Sequence, residues 1–156
     1  MQDIISRLRA KKDDEGFTLI ELLVVVVIIG VLVAIAVPVY LNYRQGAADK
    51  SAQSDVRGAI SAVEQYYTDN GNNYPDTTKG DNADGSVKTI ELGTSGLKIT
   101  LSDKTMLGYV KDAAEPSQYK ICATNGGGSG KWYLYDSAAG GSVQAADGEL
   151  SVDSCD

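Results

Sequence analysis

The stretch Gly16-Phe17-Thr18-Leu19-Ile20-Glu21 stands directly before a long apolar run, and the two together decide the fold of this chain. Leu22 to Val39 is a run of 18 residues without a charge. The wider stretch from Phe17 to Leu41 has 25 residues and one carboxylate, Glu21. Since about 20 apolar residues span the hydrocarbon core of a bilayer, the sequence predicts a membrane-spanning helix over residues 17–41.

Glu21 is the unusual residue of this apolar run. A carboxylate at the centre of a bilayer costs about 2.5 kcal/mol or more, and such a residue usually has a function and a partner. The run contains no Lys or Arg that could pair with it. Cleavage after Gly16 would create a cation, because the free α-amine of Phe17 would lie one helical turn from Glu21.

The segment GFTLIELLVVVVIIGVLVAIAVP, from Gly16 to Pro38, resembles the N-terminus of a type IV prepilin or of its close relative, a type II secretion pseudopilin. In that family a prepilin peptidase removes a leader that ends in Gly. The new N-terminal Phe is N-methylated, and a Glu four residues later is needed for assembly. The resemblance therefore implies cleavage between Gly16 and Phe17, N-methylation of Phe17, and an assembly role for Glu21.

Residues 1–16 are interpreted as a cytoplasmic leader peptide that is removed. In an ordinary secretory signal the apolar region precedes the cleavage site and is lost, whereas here it follows the proposed cut and would be retained. A basic cluster keeps the leader in the cytoplasm by the positive-inside rule; its members are Arg7, Arg9, Lys11 and Lys12. We therefore expect residues 42–156 to form an extracytoplasmic head domain.

A single helix is predicted from residue 17 to about residue 69. Its second half is amphipathic, with apolar residues at three- and four-residue spacing: Ala52, Val56, Ala59, Ile60, Val63, Tyr66 and Tyr67. The Asn70-Gly71 pair is a C-terminal signal, and the stretch from Tyr66 to Pro75 also resembles the end of the family's long helix.

Gly30 and Pro38 are expected to interrupt the first half of this helix, because proline lacks a backbone donor and glycine lowers helix stability. Both residues are also ordinary in membrane helices. The family resemblance favours a helix break that lets the segment unwind inside a filament.

After a loop over residues 71–96, a small antiparallel sheet is expected within residues 87–136. The candidate strands are Val87–Leu92, Leu97–Leu101, Leu107–Lys111, Gln118–Ala123 and Lys131–Tyr135, with a further short strand around Glu149–Val152. The fold class is therefore α+β, with the C-terminal half of a long N-terminal helix packed on this sheet, as in the pilin fold that the resemblance implies.

The two cysteines, Cys122 and Cys155, are expected to form a disulfide that closes the C-terminal loop 122–155. Disulfides persist outside the cytoplasm, the cysteine count is even, and a bond near the C-terminus ties down a tail that would otherwise fray. Two unpaired buried thiols are the alternative.

Charge and composition argue against other functions. The net charge is −7, so direct binding of nucleic acid is not expected. The chain has no histidine, and histidine is the commonest general base and zinc ligand. We expect no catalytic residue, no metal site and no cofactor. The acidic loop Asp81–Gly85 is interpreted as a solvated turn, with calcium binding as the alternative.

The sequence thus predicts a structural protein, the major subunit of a type IV pilus that polymerises through its N-terminal helix into a surface filament. The alternatives are the major pseudopilin of a type II secretion system and a membrane-anchored binding domain that never polymerises. The implied partners are the bilayer before assembly, other copies of the chain, a prepilin peptidase/methylase, a platform protein and assembly ATPases. The precursor is expected in the cytoplasmic membrane and the pilus on the cell surface.

Overall fold

The computed structural model describes residues 16–156, so the basic cluster and nearly all of the proposed leader lie outside the described residues. One helix, α1, runs from Leu19–Asp69. The chain divides into two compact units, one ending at Tyr40 and one covering Leu41–Asp156. The second unit, apart from Leu41, is called the head below. The predicted long helix is confirmed, and it ends where Gly71 and Asn72 adopt left-handed backbone conformations.

The strands of the head follow α1 in the chain: β1 Thr78–Asp81, β2 Thr89–Glu91, β3 Lys98–Thr100, β4 Thr105–Lys111, β5 Tyr119–Asn125, β6 Trp132–Asp136 and β7 Gln144–Ala146. Five of them form an antiparallel sheet in the order β1-β4-β5-β6-β7, and β2 pairs with β3 in a separate hairpin. The predicted α+β class is confirmed.

The strands differ from the sequence prediction at both ends. Strand β1 lies inside the predicted loop 71–96, where Asp81 is paired with Met106 of β4. Its sequence, Thr-Lys-Gly-Asp, carries no apolar alternation, so pairing with β4 defines this strand. At the other end, residues 149–152 form no strand, and the last strand is Gln144–Ala146 instead. Strands β1 and β7 consist of small and polar residues, so their sequences do not distinguish them from loops.

One face of the sheet packs on the inner side of α1. The helix contributes Ala52, Val56, Ala59 and Val63, all fully buried, and the sheet contributes Leu107, Tyr109, Ile121, Ala123 and Tyr133. The β2–β3 hairpin adds Ile90 and Ile99 to the same core. Because side chains alternate along a strand, Cys122 points to the opposite face, between Ile121 and Ala123.

The opposite face is covered by the C-terminal tail. Cys122, Trp132 and Cys155 are buried there together. The tail approaches β4 so closely that a Cβ on Gly108 would overlap the carbonyl group of Val152. The head therefore consists of a helix, a sheet and a tail in successive layers.

Candidate functional site

The start of α1 carries the residues that the sequence singles out. Gly16, Phe17 and Thr18 precede the helix without regular structure, and Phe17 is 82% exposed. The Glu21 carboxylate accepts hydrogen bonds from the Thr18 backbone N–H at 2.8 Å and from the Thr18 hydroxyl at 2.6 Å. In return the Glu21 backbone N–H donates to the Thr18 hydroxyl oxygen at 3.3 Å.

This reciprocal arrangement is a capping box, in which a Thr at the N-cap and a Glu three residues later satisfy the free donors of the first turn. The sequence contains the Thr-x-x-Glu spacing of a capping box. Sequence reasoning predicted a charged partner for Glu21 and missed the hydrogen bonds from Thr18. In the uncut chain the carboxylate therefore has neutral donors beside it. Phe17, whose amine cleavage would free, is the residue next to Thr18.

The apolar segment of α1 is long enough and apolar enough to cross a membrane. None of its side chains from Leu19 to Leu41 is buried within the chain. The helix continues through both Gly30 and Pro38, so the helix break expected at these two residues is absent from this structure. The loss of one backbone donor at Pro38 leaves the flanking helical turns intact in this single chain. Unwinding of the segment inside a filament stays a prediction.

Two buried aspartates hold α1 on the loops of the head. Asp49, 5% exposed, accepts hydrogen bonds from the Ser129 backbone N–H at 2.9 Å and from the Ser129 hydroxyl at 2.6 Å. Asp55, 8% exposed, accepts the same two bonds from Ser102, both at 2.8 Å. Each carboxylate thus fixes one loop by a backbone and a side-chain donor, and sequence reasoning missed both.

A third carboxylate, Glu64, binds the tyrosines near the end of α1. It accepts hydrogen bonds from the Tyr119 hydroxyl at 2.6 Å and from the Tyr74 hydroxyl at 3.2 Å. Burial, reinforced by the charge of Glu64, raises the pKa of Tyr74 to about 12. Burial and the hydrogen bond to Glu64 also raise the pKa of Tyr119. These contacts join the last turns of α1 to β5.

The expected disulfide is present between Cys122 and Cys155, with Cα atoms 5.5 Å apart. Two ion pairs also hold the tail, Lys79 with Asp153 and Lys120 with Asp156. The ion pairs are exposed and add little stability, so the covalent bond and the apolar contacts of the tail hold it on the sheet.

Two further loops of the head are turns held by side-chain hydrogen bonds. In the Asp81–Gly85 loop the carboxylates of Asp81 and Asp84 accept backbone N–H groups two residues later. Within residues 16–156, no three acidic, cysteine or histidine side chains are grouped to hold a metal ion. The glycine-rich segment after Asn125 is the tip of the β5–β6 hairpin, and Ser129 fastens it to α1.

Comparison with known proteins agrees with this architecture. Residues 11–37 match the family model of the prokaryotic N-terminal methylation motif. The chain is 30% identical over 125 residues to the type IV major pilin protein PilE of Neisseria gonorrhoeae, covering 76% of this chain and 72% of that protein. It is also 27% identical over 144 residues to a fimbrial protein of Neisseria meningitidis serogroup B, covering 88% of this chain and 82% of the relative.

A second group of relatives matches a shorter part of the chain. The type II secretion system core protein G of Escherichia coli is 40% identical over 73 residues. That alignment covers 47% of this chain and 50% of the relative. The alignments with the two Neisseria proteins therefore cover much more of this chain than the alignment with protein G, although the identity within the shorter alignment is higher. A fimbrial protein of Eikenella corrodens, EcpC, is 44% identical over 61 residues and covers 39% of this chain.

Proposed function

The chain belongs to the type IV pilin family, and we propose that it is the major structural subunit of a type IV pilus on the cell surface. In this proposal residues 17–41 hold the precursor in the cytoplasmic membrane and later form the filament core, while residues 42–156 form the head. The supporting observation is coverage, because two fimbrial relatives align over three quarters or more of the chain. A structural role needs no catalytic site and no cofactor.

Maturation would remove residues 1–16 by cleavage between Gly16 and Phe17, followed by N-methylation of Phe17. The matched methylation motif spans this junction, and Phe17 lies exposed ahead of α1. A methylated amine keeps its positive charge and can still pair with a carboxylate. Intact-mass measurement of subunits from purified filaments tests this step. Residues 1–16 still attached to the assembled subunits would disprove it.

Glu21 would then direct assembly. In hydrocarbon a carboxylate is costly to bury without a cation, and the hydroxyl and N–H of Thr18 bring no charge. The Phe17 amine of an incoming copy would neutralise Glu21 and set the axial register of that copy. The alternatives for Glu21 are pairing with its own N-terminal amine, placement of its carboxylate at the membrane interface, and the Thr18 cap seen in the structure.

Three substitutions separate these roles. Glu21→Ala and Glu21→Gln should leave a subunit that is inserted and cleaved but forms few or no filaments. Thr18→Ala removes the capping hydroxyl and keeps the charge, so filaments should still form. If both Glu21 variants assembled normally, the charge would not drive assembly. If filaments were lost in Thr18→Ala but formed in both Glu21 variants, the Thr18 cap and not the Glu21 charge would be required for assembly.

The polymer would be built from head-to-tail contacts between copies, a geometry that does not close and so yields filaments. Partners consistent with this role are a prepilin peptidase/methylase, a platform membrane protein and assembly ATPases. The energy for assembly would have to come from such ATPases.

The second candidate function is the major pseudopilin of a type II secretion system, favoured by the 40% identity to protein G over 73 residues. Locating the protein decides between the two. Electron microscopy of filaments sheared from cells, with mass spectrometry of their subunit, should find this chain in surface filaments. Its confinement to the envelope would favour the pseudopilin, and an even dispersal in the membrane would favour an anchored binding domain.

A further inference from the structure

The charges of the head are divided unevenly between the first part of its helix, residues 41–63, and the rest of the head, which includes the last turns of α1 with Glu64 and Asp69. From Leu41 to Val63 the helix carries three basic residues and two acidic ones. Both acidic residues, Asp49 and Asp55, are buried against serines, whereas the basic residues are exposed. From Glu64 to Asp156 there are seven basic and fourteen acidic residues. This part of the helix therefore presents positive charge on a head that is otherwise acidic.

Five exposed residues make up one side of the helix, which we name the basic helix face: Lys50, Ser54, Arg57, Gly58 and Ser61. Their spacing of three and four residues places them together, on the side away from the buried Val56 and Ala59. Within residues 16–156 neither cation of this face makes an ion pair; the Lys50 ammonium donates to Gln53 at 3.1 Å.

Gly58 is an independent sign that this face meets another surface. Glycine in the middle of a helix is destabilising relative to alanine. A Cβ at position 58 would have nothing within 4 Å, so the fold of a single copy gives no reason for glycine here. Glycine is favoured where another backbone approaches closely, and the open space at Gly58 leaves room for one.

We propose that the basic helix face binds the acidic surface of the head of a second copy of the chain. Exposed carboxylates without an ion pair within residues 16–156 are available for this contact, among them Asp76, Glu115 and Asp147. The inference rests on the proposed function, since it requires copies to polymerise. It assigns Lys50 and Arg57 as residues that orient neighbouring heads.

An anionic membrane surface fits the position of this face less well. Lys50 and Arg57 follow the last apolar residue of the spanning segment, Leu41, by nine and sixteen residues, which is about 14 and 24 Å along a helix. The Debye length at physiological ionic strength is about 8 Å. Headgroup charge would be partly screened at Lys50 and largely screened at Arg57, whereas a neighbouring head can contact both directly.

Charge reversal tests the proposal in cells that make wild-type filaments. Lys50→Glu combined with Arg57→Glu should lower filament yield about tenfold or more at equal subunit level, since two ion pairs are replaced by repulsion. Lys88→Glu combined with Lys131→Glu is the matched control, because both lysines are exposed and lie outside the basic helix face. Filament yield in the control should stay within about twofold of wild type. Lys50→Arg combined with Arg57→Lys keeps both positive charges and should also assemble like wild type.

A second measurement tests whether the basic helix face is accessible to solvent in filaments. Ser54→Cys should react with a maleimide in detergent-dispersed subunits and be protected in intact filaments. Gly58→Leu should fold, because its Cβ has open space, and yet fail to assemble. Equal filament yields from the two charge-reversal pairs would overturn the proposal. The proposal would also be overturned if Ser54→Cys reacted fully with the maleimide in filaments and was protected only in subunits that are still in the membrane. That result would indicate lipid contact. Absence of wild-type filaments would count against the proposed function instead.

Discussion

Replacing Asp55 tests how α1 is held on the head. This carboxylate is 8% exposed and accepts the backbone N–H and the hydroxyl of Ser102, both at 2.8 Å. Within residues 16–156 no basic side chain pairs with it. Asp55→Asn keeps the shape of the side chain but removes its charge. It also places an amide N–H₂ group against one of the two donors.

The expected loss can be worked from these two bonds. A hydrogen bond to a charged group contributes about 1.5–3 kcal/mol, against about 1 kcal/mol for a neutral one. Asp55→Asn loses one bond and the charge assistance of the other, so unfolding should become easier by about 2–3 kcal/mol. Ser102→Ala loses only the hydroxyl bond and should cost about 1–2 kcal/mol. Both are large fractions of a total stability of about 5–15 kcal/mol.

Urea unfolding of the full subunit in detergent provides the assay. The chain has a single tryptophan, Trp132, which is 6% exposed in the sheet and so reports unfolding of the head by its fluorescence. Asp69→Asn is the control, because Asp69 is exposed and should change stability by less than about 0.5 kcal/mol. The double variant measures the coupling between Asp55 and Ser102. A change below about 0.5 kcal/mol in Asp55→Asn, or no coupling, would refute the reasoning.

Three further predictions concern the head. Cys155→Ser should lower stability by up to about 3–4 kcal/mol in thermal melts, because it opens a long loop; alkylation of both cysteines in unreduced wild type would contradict the disulfide. Gly108→Ala should displace the tail from β4, cost about 1–3 kcal/mol and expose Trp132 to quenchers, whereas Gly46→Ala, in open space on α1, should not destabilise. Because the pKa of Tyr74 is raised from 10.0 to about 12, the neutral tyrosine is favoured in the folded head. The free energy of unfolding that Tyr74 contributes should be fully present below pH 10 and be lost as the pH rises towards 12. Thermal melts followed by circular dichroism measure this loss, and an unchanged melting temperature between pH 10 and 12 would contradict it.

Local patterns predicted the helix and most of the strands. The apolar run and the three- and four-residue spacing define α1 to within two residues at its start. Strands β5 and β6 lie where the candidate strands Gln118–Ala123 and Lys131–Tyr135 were expected. Strand β1 was missed because Gly80 and its polar neighbours read as loop. Its glycine is needed there, since a Cβ would meet Ile90 at 2.5 Å.

The contacts that fasten the head could not be read from the sequence. Ser102 lies 47 residues after Asp55, and Ser129 lies 80 residues after Asp49. An aspartate and a serine at such separations have no local signature, because their meeting depends on the whole sheet topology. By contrast, the Thr18-x-x-Glu21 cap is a local signal that the sequence contains, although the neutral Thr18 does not supply the positive charge expected beside Glu21.

The long sequence separation of the Asp–Ser contacts has a consequence for the order in which the head forms. Helices form from local contacts quickly, whereas contacts between distant residues slow folding. The helix can therefore be complete while its inner side, with Val56 and Val63, still awaits β4 and β5. The tail comes later still, because Cys155 needs Cys122 already placed on the sheet. Each new copy of the chain should thus pass through a stage in which its helix is formed but its head is open, and its apolar core residues are then accessible to chaperones and proteases.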